Sequence, residues 1–174
     1  MIIREAAEAD FDELMKFYDY MCQVLATKSF MPNGNQGGFP SDDMVREAIE
    51  QHNQFIGVED EKIICTYILD HNRDEAYLTA PWKVEASLEE TVVLHALRVL
   101  PEYSGRGYGK GLVEHAVRTA RERKQKAIRL DVIIGNTIPE KMFLKYGFEY
   151  IDTVEMLYED IGEIIRFRLM ELAL

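Results

Sequence analysis

Leu97-Arg98-Val99-Leu100-Pro101-Glu102-Tyr103-Ser104-Gly105-Arg106-Gly107-Tyr108-Gly109-Lys110-Gly111-Leu112 runs from an apolar strand-like segment through a glycine-rich turn into the start of a helix. Alternate glycines permit positive φ and close backbone approach, and successive N–H groups at a helix N-terminus form a concave donor array with partial positive charge. Such an array binds an anion. Residues 98–129 hold nine Lys or Arg and three Glu, a net of +6, which leaves 11 bases and 28 acids elsewhere. Positive charge is thus focused on the segment that carries the turn. A nucleotide loop ending in Gly109-Lys110 would need Gly at Ser104 and Ser or Thr at Gly111, and the dinucleotide fingerprint fails at its third glycine in both registers.

Outward from the turn, residues 91–100 read as a strand. From Gly107 to about Lys126, Leu112, Val113, Ala116, Val117 and Ala120 recur at helical spacing. A strand is expected over 127–134. Pro139 then lies near the start of a short helix that ends at Gly147, a natural left-handed cap. Strand signals at 148–158 and 163–171, joined through Asp160-Ile161-Gly162, predict a closing hairpin. Upstream, Ile2-Ile3 opens a strand, and Asp10 with Glu13 reads as a capping pair for a helix to about Thr27. Residues 28–40, rich in Gly and Pro, read as a loop exposing Phe30, Met31 and Phe39. Ser41 caps a second helix, and residues 55–58 and 63–69 form a hairpin. Residues 70–90 are irregular and charged.

The formal charge of -11 argues against a nucleic-acid or anionic-membrane partner. The chain has neither a signal-like N-terminal apolar run nor an apolar stretch of spanning length, and its two cysteines read as buried thiols. A soluble, cytoplasmic protein of one domain, residues 1–174, is expected, with mixed α/β (α+β) architecture. The scattered histidines and cysteines show no metal-ligand spacing.

Leu97, Val99 and Pro101, followed by Ser104, Gly105, Arg106, Gly107, Tyr108 and Gly109, resemble the central motif of the GNAT superfamily of N-acetyltransferases, L-x-V-x-P-x-x then [QR]-x-x-G-x-[GA]. Ser104 stands where the family usually has Gln or Arg. Asn136, Phe143 and Tyr146-Gly147-Phe148 resemble the family's N-x(6)-Y-x-x-x-G-F segment. The resemblance implies a central, largely antiparallel twisted sheet of about six or seven strands flanked by about four helices. It further implies acetyl-CoA as co-substrate, held by Leu97, Arg98 and Val99, by Ser104 through Lys110 (Ser104, Gly105, Arg106, Gly107, Tyr108, Gly109 and Lys110), and by Asn136 and Phe143. The Val99 backbone N–H would polarise the thioester carbonyl.

The implied reaction is direct transfer of acetyl to a primary amine, a small molecule or amino-acid derivative, without a metal. The alternatives are a peptide or protein N-acetyltransferase and a noncatalytic acyl-CoA-binding module. His95, on the strand, suits proton acceptance, and the segment from Val93 to Val99 is similar to that of arylalkylamine acetyltransferases. A histidine bonded within the sheet is the competing reading. Phe143 occupies the place of the usual acid Tyr and has no proton to give; Tyr146 is the nearby candidate, with core packing as its alternative. Acids such as Asp42, Asp43, Glu47, Asp70, Asp74, Glu75 and Glu85 would favour a cationic acceptor, with ordinary solubilising charge as the competing reading. The aromatic and apolar residues of 28–40, with Tyr77 and Trp82, are candidates for its pocket, with plain burial as the competing reading. The reading leaves room for a homodimer.

Overall fold

The computed structural model describes residues 1–32, 38–158 and 161–174. In chain order the elements are β1 (Ile2–Glu5), α1 (Phe11–Ala26), α2 (Asp42–Glu50), β2 (Gln54–Glu59), β3 (Lys62–Asp70), α3 (Ala76–Thr79), β4 (Thr91–Val99), α4 (Tyr108–Glu122), β5 (Ala127–Ile133), α5 (Thr137–Tyr146), β6 (Glu149–Tyr158) and β7 (Glu163–Ala173). The strands form one open seven-stranded sheet in the order β1-β2-β3-β4-β5-β7-β6. Only β4 and β5 run parallel; every other neighbouring pair is antiparallel. The expected mixed, largely antiparallel sheet is present. No helix among the described residues is long and apolar enough to cross a membrane.

The two faces of the sheet follow from strand alternation. Tyr67 of β3 hydrogen-bonds His115 of α4 at 2.6 Å, whereas the adjacent Thr66 meets the Tyr18 hydroxyl of α1 at 3.1 Å. Because successive side chains point to opposite faces, α1 and α4 cover opposite sides of β3. Cross-strand register then places His95, which opposes Ile68, and Arg98, which opposes Thr66, on the α1 face of β4. Asp131 joins them there, two residues beyond Arg129, the partner of Val93. α4 seats Leu112, Val113, Ala116, Val117 and Ala120, all buried, on the other face.

Two local expectations are corrected. Asp10 does not pair with Glu13 to cap α1: its carboxylate accepts from the Ala7 N–H at 2.8 Å and from Arg4, closing the preceding 3-10 turn. Glu13 instead accepts from the Ile63 N–H. Met31 is buried rather than exposed, and Phe30 and Phe39 are half-buried, because the described ends of the 28–40 segment fold onto the sheet. Asp160 lies outside the described residues. Ser41 caps α2 as expected, accepting from Met44 N–H.

The irregular 70–90 segment is clamped by a buried ion pair between directly opposed residues of β5 and β7. Arg129 Nε donates to Glu171 Oε2 at 2.9 Å, and the other carboxylate oxygen accepts from the Lys83 and Val84 N–H groups. Trp82 lies on the guanidinium, 4.3 Å from ring centroid to Cζ, and donates its indole N–H to the Tyr77 carbonyl. Removing one member of a buried pair leaves the other charge uncompensated at a cost of about 3–5 kcal/mol. Glu171→Gln should therefore lower unfolding free energy by about 3 kcal/mol or more in denaturant titration, and Glu171→Met with Arg129→Met should recover most of it. A loss below about 1 kcal/mol would show that the clamp contributes little.

Candidate active site

The parallel pairing of β4 and β5 lasts only three residues, Thr91↔Ala127, Val92↔Ile128 and Val93↔Arg129. Beyond them the strands part, while β5 stays paired with β7 along its whole length. On the other side of β4, Ala96 and Leu97 together oppose Tyr67 in a β-bulge, with Ala96 at φ +48. A bulge bends its strand and raises the local twist, which turns the end of β4 away from β5. The gap is a cleft of about 180 Å³, lined by Leu94, Ala96, Leu97 and Arg98 on one wall and Leu130 to Ile133 on the other. Leu100 N–H points to β3, donating to the Ile64 carbonyl, so alternation directs the Val99 N–H away from β3.

At the end of β4 the chain makes a 3-10 turn over Pro101–Tyr103 and enters α4 through Gly107 at φ +86, with Gly105 at φ +78. A Cβ at Gly105 or Gly107 would meet nothing within 4 Å, so the left-handed backbone, rather than crowding, calls for glycine there. At Gly109 a Cβ would stand 3.2 Å from the Met142 sulfur of α5, so helix contact calls for it. The N–H groups of Gly105, Arg106, Gly107, Tyr108, Gly109 and Lys110 have no acceptor among the described residues; the first N–H occupied in the helix is that of Gly111, bonded to Gly107. The Ser104 N–H is not part of the array, because it donates to the Pro101 carbonyl at 3.0 Å.

The basic charge is less concentrated than the sequence implied. Arg98 and Arg129 are buried, and Arg118 to Lys126 lie toward the other end of α4, a 15-residue helix about 22 Å long. Arg106, Lys110 and the helix N-terminus supply the positive field at the turn. Glu59 accepts from the Tyr108 hydroxyl at 2.6 Å, an interaction that holds the carboxyl below its ordinary pKa.

On the α1 face, His95 Nε2 lies 3.1 Å from Asp70 Oδ1 and 3.0 Å from the Asn72 carbonyl. Both neighbours are acceptors, so Nε2 carries the hydrogen and Nδ1 keeps its lone pair. Burial opposes the imidazolium, but the hydrogen bond and charge of Asp70, then Asp131 and Asn72, outweigh it and raise the His95 pKa above 6.5. Asp131 lines the cleft and accepts from the Tyr77 hydroxyl at 2.7 Å. Desolvation lifts its carboxyl above the ordinary range, against the Tyr77 hydrogen bond and the His95 charge.

Asn136 and Phe143 both line the cleft, Asn136 from the N-cap of α5 and Phe143 packed edge-on against Phe148. Tyr146 does not reach it: its phenol lies in the contact between α5 and α4, where burial and then Glu114 raise its pKa. Trp82 belongs to the Arg129 clamp, and of the seven acids named from sequence Asp70 alone bonds His95. The Arg98 side chain turns from the glycine turn to the Phe39 carbonyl, joining β4 to the 28–40 segment. Cys65 is inert, its thiol pushed up to about 12 by burial. Asp131 and Tyr158, which also lines the cleft, were missed; an acid inside the otherwise apolar run from Leu130 to Ile134 was the available signal for the first. Among the described residues no group of three or more His, Cys, Asp and Glu is placed to hold a metal.

The sequence model of the acetyltransferase (GNAT) family matches residues 21–148. A search of curated protein sequences finds no match. Among solved structures, a ribosomal-protein-alanine N-acetyltransferase from Brucella melitensis superposes with a TM-score of 0.75 at 18% identity, covering 100% of each chain. A Salmonella typhimurium protein solved with its cofactor acetyl-CoA gives 0.72 at 16%, over 99% of this chain and 93% of that one. A GNAT-family acetyltransferase from Streptococcus pneumoniae gives 0.72 at 18%, over 99% and 98%. At these identities the superpositions establish the fold, and the family match covers most of the chain. The chain belongs to the GNAT family and is an acetyl-CoA-dependent N-acetyltransferase.

Proposed function

We propose that the chain acetylates the primary amine of a small molecule, with His95 as the proton acceptor and the Val99 N–H as donor to the reacting carbonyl. The observation that carries this reading is the parted pair of strands opening beside six N–H groups that have no partner among the described residues. Gly105, Arg106, Gly107, Tyr108, Gly109 and Lys110 would hold the pyrophosphate, and Leu97, Arg98 and Val99 would bind the pantetheine arm through the β4 backbone. Asn136 and Phe143 would flank it. Bound acetyl-CoA supplies an activated acetyl group as a thioester, with a leaving thiol of pKa about 8.5.

His95 Nδ1, kept free by the Asp70 and Asn72 contacts to Nε2, takes the ammonium proton directly or through water. Asp70 holds the ring orientation and stabilises the imidazolium that forms. Phe143 offers no proton and Tyr146 is turned to Glu114, so neither is assigned as the general acid. A cleft of about 180 Å³ favours a compact acceptor over a folded protein surface. Two free, buried cysteines fit a reducing, cytoplasmic setting.

Gly107→Glu places a carboxylate in the donor array, and calorimetry should find coenzyme A affinity reduced at least 100-fold in a variant that still unfolds cooperatively. Arg106→Glu, at an exposed site free of backbone strain, should weaken binding several-fold, and less so at high salt. Unchanged affinity in both would remove the turn as the coenzyme site. For the base, neutral His95 is the active form, so kcat/KM for the amine should rise with pH through an apparent pKa above 6.5. His95→Gln should remove that limb and lower turnover by about 100-fold, with coenzyme A affinity retained. A pH–rate profile identical to that of the parent would return His95 to a role within the sheet.

A further inference from the structure

Two arginines are buried in this chain, and they are treated differently. Arg129 meets the carboxylate of Glu171. Among the described residues Arg98, 9% exposed, has neutral partners only: the Phe39 carbonyl oxygen, the Cys22 sulfur at 3.5 Å and the ring of Tyr18 with its centroid 5.4 Å away. No carboxylate among the described residues forms an ion pair with it, and two hydrogen bonds lead from its five-donor fork to described residues. A buried cation without a counter-ion is expensive, and a bound anion relieves the cost.

The opposite charge stands open in the same cleft. Asp131 lines the cleft and accepts from Tyr77 through Oδ2, and among the described residues no basic side chain forms an ion pair with it. It is the only carboxylate among the described residues that line the cleft, as Arg98 is the only basic one. Both side chains lie on the α1 face of the sheet. Phe30, Met31, Phe39, Phe143 and Phe167 make most of the remaining surface apolar, with Asn136 and Tyr158 as its polar members, and a cavity of about 150 Å³ is known to accept one benzene ring.

We propose that the acceptor is a free amino acid with an apolar side chain, its ammonium seated on Asp131 and its carboxylate on Arg98. This rests on the acetyl-transfer reading above and names the acceptor for the same site. A decarboxylated amine satisfies Asp131 but leaves Arg98 without an anion. A polyamine brings a second cation toward Arg98, and a peptide N-terminus lacks the adjacent carboxylate. Each wrong acceptor thus leaves a desolvated charge unpaired, which discriminates more strongly than a missing methylene does.

The test compares phenylalanine, 2-phenylethylamine and phenylalanine methyl ester, which share one body, with thiol and N-acetyl product measured together. The expected kcat/KM for phenylalanine is at least tenfold above both others. Calorimetry with coenzyme A-saturated protein should show the same order in Kd. Arg98→Met should bring the three values to within about threefold of one another, whereas Arg98→Lys retains part of the preference. Asp131→Asn should weaken binding of all three.

Equal or faster turnover of phenylethylamine or the ester overturns the inference while leaving acetyl transfer to amines intact. A phenylalanine preference that survives Arg98→Met in a folded variant overturns it too. Should Arg98→Met fail to fold, the comparison of acceptors on the unaltered protein decides alone. Bound acetyl-CoA with no thiol release from any of a broad panel of amines overturns the acetyl-transfer reading and this inference together.

Discussion

The rest of the molecule depends on an interruption: β4 and β5 pair for three residues and then separate. Main-chain N–H and C=O groups inside a protein must find partners, and an opening within a sheet exposes two inner edges instead of one outer edge. The edge of β5 that faces β7 is fully paired, so the exposed edge is the one toward β4. On β4 the bulge at Ala96 directs the opening and sets the alternation that leaves the Val99 N–H facing it. A ligand that carries amides can add to such an edge as a strand would. The glycine turn stands directly beyond the same strand end, so one stretch of chain presents an extended backbone edge and then a helix N-terminus.

The turn was legible because its physics is local. Glycines where the backbone needs positive φ, a helix face that begins right after them, and a strand that ends right before them are all properties of one short stretch. Ser41 as a cap, Gly147 as a left-handed terminator and the hairpin of β2 and β3 were readable for the same reason. The cleft was not legible, because which edges pair and where pairing stops is decided between segments far apart in sequence. Asp131 illustrates the difference. In the sequence it interrupts an apolar run; only the parting of β4 from β5 turns that interruption into a carboxylate facing an opening.

Charge showed a similar division. The excess of bases over residues 98–129 is real, yet the fold distributes it: two arginines go inside, and much of the rest lies at the far end of α4. Arg123, for example, donates to the carbonyls of His52 and Leu69 and to Asn53, a structural task that composition cannot reveal. Tyr146 failed as a cleft residue for a geometric reason. Three residues along a helix from Phe143 it is a neighbour on the surface, and the neighbouring surface here faces α4.

Buried charge separates the parts that hold the fold from the parts that face a ligand. Arg129 and Glu171 neutralise each other, and the backbone of Lys83 and Val84 completes the carboxylate's hydrogen bonds, so this region has nothing left to offer. Asp70 and His95 are also matched, but the match leaves one ring nitrogen free. Among the described residues Arg98 and Asp131 are not matched by any partner of opposite charge in direct contact, and both line the cleft. Folding alone would favour closing that account by pairing or replacing them, since an unpaired charge in a half-buried wall lowers stability without return to the native state. Their retention on the walls of one opening, beside strands that themselves lack partners, is what a chain looks like when part of its stability is given to a site.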